Sequence, residues 1–190
     1  MSVRQSLLAI LAQGACYGYQ LRAELERRSG SDWTVNVGQI YNTLDRLERD
    51  GLVVKGAVDP QGHVYYAATE AGMASASAWL LRALPTASGA RDEIATKIAL
   101  AATLPGVDAG AAARAERDAA AERLARARAA AIEEHDLARS IAHEARVARA
   151  EAELRWLERV LERLAAIPEA SRVQPISQSR PRRGRPARIA

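Results

Sequence analysis

The stretch Asn36-Val37-Gly38-Gln39-Ile40-Tyr41-Asn42-Thr43-Leu44-Asp45-Arg46-Leu47-Glu48-Arg49-Asp50-Gly51 decides how the rest of this chain is read. Val37, Ile40, Leu44 and Leu47 recur at spacings of three and four, which gathers them on one face of a helix, while Gln39, Asn42, Thr43, Arg46 and Arg49 fall on the other. Asn36 stands where an N-cap accepts from the unpaired amides of a first turn, and Gly51 where a left-handed residue closes the last. The pattern predicts a helix over residues 37–50 with one face anchored and the other free to meet a partner. Gln and Asn each present a paired donor and acceptor that match an adenine edge, and Arg46, one turn on, suits a phosphate or a guanine. A solvated face on any small helical domain would carry the same residue types, so the flanking sequence has to separate the two.

Upstream, Gly18-Tyr19-Gln20-Leu21 opens a shorter amphipathic segment. Downstream, Leu52-Val53-Val54 and Val64-Tyr65-Tyr66-Ala67 are β-prone runs on either side of Asp59-Pro60-Gln61-Gly62, whose composition is that of a turn. Thr69 then offers an N-cap for a helix over residues 70–84 with Met73, Ala76, Leu80 and Leu84 facing inward. Helix, turn, helix and a two-stranded wing, in that order, are the parts of a DNA-reading head.

The ordered motifs Gly18-Tyr19-Gln20-Leu21, Gly38-Gln39-Ile40-Tyr41, Leu44, Leu47, Asp50-Gly51-Leu52-Val53, Tyr65-Tyr66 and Thr69-Glu70-Ala71-Gly72 resemble those of the PadR family of bacterial transcriptional regulators. The resemblance spans residues 1–84, and the Ala-rich helices beyond resemble the longer subgroup with an extended helical C-terminal region. It implies a mainly α protein with an N-terminal winged helix-turn-helix, acting as a repressor that dimerises through its C-terminal helices and binds double-stranded DNA at a palindromic operator. It also implies response to a small-molecule effector; no cofactor is expected. Gln39, Tyr41, Asn42, Thr43 and Arg46 are the expected DNA-reading residues, with Lys55 and His63 expected to touch the backbone near the wing. In one place the chain departs from the family: His63-Val64 stands where the second wing strand commonly carries two basic residues.

Composition bounds the remaining possibilities. A chain of 190 residues with 48% hydrophobic content suits one or two small domains with a packed core. Much of that content is Ala and Phe is absent, so the core must rest on Leu, Ile and Val, with Ala letting helices approach closely. No apolar run approaches the ~20 residues of a membrane span, and the stretch behind Arg4 is short for a signal peptide; a cytoplasmic protein is expected. Cys16, the only cysteine, allows neither an internal disulfide nor a thiolate metal cage, and core packing or a redox role are the two readings open to it.

Net charge is +4, but it is unevenly placed. Residues 1–84 carry eight basic and eight acidic side chains, residues 85–169 thirteen and fifteen, and residues 170–190 six Arg with no acid. A neutral head attracts phosphates weakly on its own, and pairing two heads across a two-fold axis is the usual remedy.

The second half supplies a means of pairing. Val147, Ala150, Leu154, Leu157, Leu161 and Leu164 form a heptad-like stripe flanked by Trp156 and Val160. Before it, residues 91–104 predict a helix closed by Pro105-Gly106, and residues 108 to about 137 a longer Ala-rich one containing Leu124 and Ile132. Either all three fold back into an intrachain bundle or the last crosses to a second subunit; a homodimer is expected, through Val147, Leu154, Leu157, Leu161 and Leu164. Whether a break falls near Ser140 is left open, since no Gly or Pro marks it. The division is thus a DNA-binding domain over 1–84, a helical dimerisation domain over 85–168 and a disordered basic tail over 169–190.

From Ser171 onward the chain is rich in Ser, Pro and Arg and poor in large apolar residues, so it is expected not to fold. Within it Pro181-Arg182-Arg183-Gly184-Arg185-Pro186 resembles the core of an AT-hook. Arg182, Arg183 and Arg185 would meet the negative potential of a narrow A·T minor groove while Gly184 permits close approach; the alternative is a loose positive tail.

His135 and His143 lie about two helical turns apart, too far for one metal without help from another helix, so no metal site is expected. Nor is there a phosphate-cradling Gly-rich loop, a nucleophile elbow or a paired catalytic carboxylate motif, which argues against an enzyme. Trp79 and Trp156 would serve either as packing or as the broad faces of an effector cleft; Tyr17, Tyr19 and Trp33 are read as packing. The competing class is a protein-interaction module whose winged helix no longer reads DNA, and the near-neutral head is what favours it.

Overall fold

A computed structural model of the chain describes residues 3–29, 35–85, 90–130 and 136–177. The head is built from α1 (Val3–Leu11), α2 (Gly18–Ser29) and α3 (Val37–Arg49), then strands β2 (Val53–Val58) and β3 (Val64–Ala68) and helix α4 (Glu70–Leu81). A two-residue strand β1 (Cys16–Tyr17) precedes α2 and pairs antiparallel with β3, Cys16 opposite Tyr66 and Tyr17 opposite Tyr65. The sheet therefore has three strands in the order β1-β3-β2 rather than the two expected, and the wing is tied to the body through its inner strand.

Apolar spacing explains why these elements meet. α1 buries Leu7, Leu8, Ile10 and Leu11, α2 buries Leu21 and Leu25, and α3 buries Ile40, Leu44 and Leu47, all in one cluster. Cys16 lies within it; desolvation, with the nearby Glu24 charge adding to it, pushes the thiol up to about 12, so it is a packing residue with no reactive thiolate near neutral pH. α4 docks through Gly72, Ala76, Trp79 and Leu80, and a Cβ at Gly72 would overlap the Leu52 carbonyl oxygen. That close approach fixes the face of α4 and corrects two expectations: Met73, one residue off the docked face, is exposed, and the helix ends at Leu81 because Arg82 is extended. Leu84 still packs against the core, from beyond the helix.

Helices α5 (Ala90–Thr103), α6 (Ala109–Ala129) and α7 (Leu137–Ala166) form the second half. Asp108 caps α6 by accepting from the Ala111 amide at 2.8 Å, and Asp136 caps α7 by accepting from the Arg139 amide at 3.1 Å. The long Ala-rich helix thus stops at Ala129, short of the expected 137, and Ser140 lies inside the first turn of α7 rather than at a break. Ile132, His135 and Trp33 lie outside the described residues. Ion pairs Arg128–Glu151 and Arg123–Glu153, both 2.7 Å, show α6 and α7 to be antiparallel neighbours.

Much of the apolar stripe on α7 is spent within the chain. Leu157 is fully buried in a cluster with Ile94, Ile98, Ala113 and Ala120, and Leu154, Trp156, Val160, Leu161 and Leu164 pack on the same cluster. Val147 is half-buried outside it. Leu137 and Ile141, at 73% and 59% exposure, are the large apolar side chains that α6 leaves uncovered at the start of α7.

A short helix α8 (Glu169–Arg172) follows, and residues 173–177 lie along α2, held by Gln20, Glu24, Arg27 and Arg28. An unfolded tail from Glu169 is therefore corrected: up to Ser177 the segment is held by hydrogen bonds of its backbone to Gln20, Glu24, Arg27 and Arg28 and by Ile176 packed against the core. Residues 178–190, including Arg182, Arg183, Gly184 and Arg185, lie outside the described residues. Among the described residues no helix is long and apolar enough to cross a membrane.

Head and helical half are joined by a buried charge pair. Lys97 on α5 and Glu116 on α6 sit 2.6 Å apart with no exposure; Lys97 also donates to the Arg82 carbonyl at 2.7 Å, and Glu116 accepts from the Leu84 amide at 3.1 Å. Burial pushes the Lys97 ammonium below its ordinary range, and the Glu116 carboxylate opposes that shift. Leaving either charge alone in this site costs about 3–5 kcal/mol, whereas an apolar pair of similar volume is close to neutral. Lys97→Met and Glu116→Leu should each destabilise the protein by about that amount in urea unfolding, and the double substitution should recover most of the loss.

Candidate nucleic-acid interface

Local sequence sets the reading surface on α3. The Asn36 side chain accepts from the Gly38 amide at 2.8 Å, which starts the helix at Val37, and the Asp50 amide returns to the Arg46 carbonyl at 3.0 Å before Gly51 turns away at φ +70°. With Ile40, Leu44 and Leu47 buried, the opposite face lines an open groove of about 430 Å³ formed by Asn36, Gly38, Gln39, Asn42, Thr43 and Arg46. Gln39, Asn42 and Arg46 are exposed, and Arg46 makes no ion pair among the described residues. The Thr43 hydroxyl donates to the Gln39 carbonyl at 2.7 Å, so it is committed to the helix backbone and contributes shape.

Of the residues expected to read DNA, Gln39, Asn42, Thr43 and Arg46 are brought together. Tyr41 is placed apart, half-buried with its ring against Gly18, where a Cβ would stand only 2.6 Å from Cζ. That contact seats the start of α2 on α3 and explains the Gly at this position. Asn36 and Gly38 join the groove without having been singled out for it; their place in the first turn, on the exposed side, was the available signal.

The wing carries its polar groups inward. Asp59 Oδ1 accepts from the amides of Gln61 and His63, each at 2.9 Å, and Oδ2 meets His63 Nδ1 at 2.9 Å. The His63 ring stacks on Tyr17 with centroids 4.4 Å apart. His63 thus pins the turn onto β1 and is half-buried. Lys55 reaches back to α3, 2.7 Å from Glu48 and 3.9 Å from Asp45, and the hydrogen bond with Glu48 raises its ammonium above the usual range. One cation therefore offsets the acids that flank the reading face.

Against this geometry stand the comparisons with known proteins. Residues 7–78 match the Transcriptional regulator PadR-like family, and residues 90–165 match the Virulence activator alpha C-term family. Residues 7–78 are a PadR-like domain, the C-terminal region fits the longer subgroup of such regulators, and the chain is a DNA-binding transcriptional regulator of winged helix-turn-helix fold. Among solved structures, Bacillus subtilis PadR in complex with operator DNA is 19% identical, covering 86% of this chain and 99% of that one with a TM-score of 0.42. The same protein in complex with p-coumaric acid is 18% identical over 87% and 99%, with a TM-score of 0.40. The PadR-like regulator BC1756 from Bacillus cereus is 20% identical over 86% and 98%, with a TM-score of 0.37. No curated protein matches the chain significantly.

Acid should loosen the wing. Burial raises the Asp59 carboxyl, but the bonds from the His63 amide and ring and the Gln61 amide outweigh it and hold the carboxyl below its ordinary 3.8. A lowered folded-state value means that these bonds contribute fully above pH 3.8 and fade as pH falls through that lower value. Protection of the His63 amide in hydrogen exchange should drop in that window for the native chain, and Asp59→Asn should abolish the pH dependence.

Proposed function

We propose that the protein is a homodimeric repressor that reads a palindromic operator with α3 in the major groove. Gln39 and Asn42 face base edges, Arg46 meets a phosphate or a guanine, and Thr43 shapes the floor between them. The observation that carries this reading is the groove itself: exposed amides and a free guanidinium on one side of a helix whose other side is locked into the core. Tyr41 acts from behind, holding α2 against α3, and His63 acts by fixing the wing. Lys55 is available to a phosphate on exchanging Glu48 for it.

Dimerisation is supported by the start of α7. A helix of 30 residues spans ~45 Å, against ~31 Å for the 21 of α6, so its first turns project past their neighbour with Leu137 and Ile141 uncovered. A second copy covers them, with Val147 at the edge of the same surface. The interior members of the stripe, Leu154, Leu157, Leu161 and Leu164, then serve mainly to hold α7 on α5 and α6. A small-molecule effector is part of the proposal: the buried Trp79 indole N–H has no partner among the described residues, and a ligand acceptor would satisfy it.

A gel-shift titration on the DNA upstream of the chain's own gene tests the reading. Binding should weaken steeply with salt. Asn42→Ala should lose about 1–3 kcal/mol of discrimination between that duplex and scrambled DNA with little change on the scrambled one. Arg46→Ala should lower affinity for both and, if it holds a phosphate, reduce the salt slope by about 0.9. Equal losses on every duplex for Asn42→Ala would contradict the assignment. Absence of any shift in dilute buffer would favour the protein-interaction reading.

A further inference from the structure

Glu24 and Arg28 are charged side chains of α2 with exposures of 1% and 2%, an i,i+4 pair taken out of water. A buried pair is tolerated when its remaining donors and acceptors are matched, and here backbone from the far end of the chain supplies a match to both. Glu24 Oε2 accepts from Arg27 at 2.6 Å and Arg28 at 3.0 Å, while Oε1 accepts from the Ser177 amide at 2.9 Å. Burial raises the Glu24 carboxyl, yet the bonds from Arg27 and Ser177 and the neighbouring Arg charges outweigh it and hold the group below its ordinary range. Arg28 donates to the Thr103 carbonyl at 2.8 Å and the Gln174 carbonyl at 2.6 Å. Arg27 donates to the Pro175 carbonyl at 2.9 Å and to the Gln174 side chain, and Gln20 to the Ser177 carbonyl at 3.1 Å. The Gln174 amide donates to the Thr103 carbonyl at 2.9 Å.

These bonds make the segment seat as a unit. Lifting residues 174–177 away strips Glu24 of its Ser177 donor and Arg28 of its Gln174 acceptor together, and a buried charge with an open bonding position is costly. Sliding is blocked as well. A shift that brought Pro175 to Glu24 would present no N–H. Ile176, packed on the core beside Gly14, fixes the same register.

At its other end the segment is tied to α7. Only Ile167, Pro168 and α8 separate Ala166, the last residue of α7, from Val173. The Val173 amide closes α8 on the Glu169 carbonyl at 3.0 Å, and Arg172 donates to the Ala102 carbonyl of α5 at 2.9 Å. With α8 intact the connector spans at most ~16 Å, and a short, partly helical connector passes a displacement on rather than absorbing it. α2 in turn packs on α3 where Gly18 meets the Tyr41 ring. A continuous path thus runs from α7, whose start leaves Leu137 and Ile141 uncovered, to the helix that carries Gln39, Asn42 and Arg46.

We infer that residues 169–177 are a strap that transmits the position of α7 to α2 and α3, and so fixes the separation of the two reading helices in the dimer. The inference rests on the proposed homodimeric DNA reading. With the strap seated and taut, a shift of α7 reaches α2 through bonds that hold only one arrangement. With the strap slack, each head moves on its arm and accepts half-sites of more than one spacing. Glu24 and Arg28, being buried, act as positioning residues in this device.

The full-length protein first selects a duplex from a random pool, and that duplex is remade with two base pairs added at its centre, which moves half-sites ~7 Å apart and turns them by ~70°. The native chain should lose at least roughly tenfold in affinity on the widened duplex. About six Gly and Ser residues inserted after Pro168 should leave affinity for the selected duplex within about threefold and cut the widening penalty to about two- or threefold. Hydrogen exchange follows the seat: the Gln174 and Ser177 amides should open together in the native chain and stay protected in the insertion variant. Ser177→Pro, which removes the amide that satisfies Glu24, should deprotect the Gln174 amide and relax the spacing in the same way, whereas a purely structural role would weaken both duplexes alike. The insertion leaves every bond of the seat in place, so the test stands even where the Pro variant folds poorly. A widening penalty that the insertion leaves whole, with both amides still protected, overturns the strap's role. A chain that selects no duplex overturns the DNA reading and this inference with it; one that selects a duplex yet ignores widening overturns the fixed spacing alone.

Discussion

The apolar seam beneath α3 is the constraint on which the rest depends. Ile40, Leu44 and Leu47 have no exposure and together contribute roughly 5–8 kcal/mol of burial. Successive residues lie about 100° apart around a helix, so turning α3 by one residue would lift those side chains toward water and drive polar ones into the core. An amide buried without a partner adds about 1–3 kcal/mol to that loss. Rotation is thereby locked, and Gln39, Asn42 and Arg46 have one direction in which to point. Preorganisation of this kind matters for a reading surface, because side chains already in place lose less freedom when they meet bases.

Two buried charge clusters hold the head in its setting. Lys97 and Glu116 tie the end of α4 to α5 and α6 by bonding the backbone of Arg82 and Leu84. Glu24 and Arg28 tie α2 to the end of α5 and to residues 174–177. Ion pairs out of water are poor sources of net stability compared with apolar packing. Their directional bonds nonetheless accept few alternative arrangements, which suits joints that fix a head against the helices behind it.

How much of this was legible in the sequence follows from the range of each interaction. α3 was legible because its cap, its 3.6-residue period and its closing Gly51 all lie within sixteen consecutive residues. The wing turn was legible from Asp59-Pro60-Gln61-Gly62, whereas the two-residue β1 was not, since its partner is β3, some fifty residues on. Within the candidate site, Gln39, Asn42, Thr43 and Arg46 followed from periodicity, but the inward turn of Tyr41 depends on the missing Cβ of Gly18 on another helix. His63 looked like a surface cation because its Tyr17 neighbour comes from β1. Nothing local to Glu24 and Arg28, an i,i+4 pair on α2, announces that backbone about 150 residues away covers them. The stripe on α7 was correct as an apolar face, yet spacing alone does not say which helix will cover it.

The most direct measurement is interference by 7-deazapurines, which replace the purine N7 acceptor in the major groove and leave the duplex otherwise intact. Each purine of a selected duplex would be substituted in turn and the affinity of the native chain measured. Losses confined to two symmetric clusters, centred one helical turn or a multiple of it apart (~34–36 Å per turn), are the expected result. Affinity indifferent to every N7 position would contradict α3 as a major-groove reader.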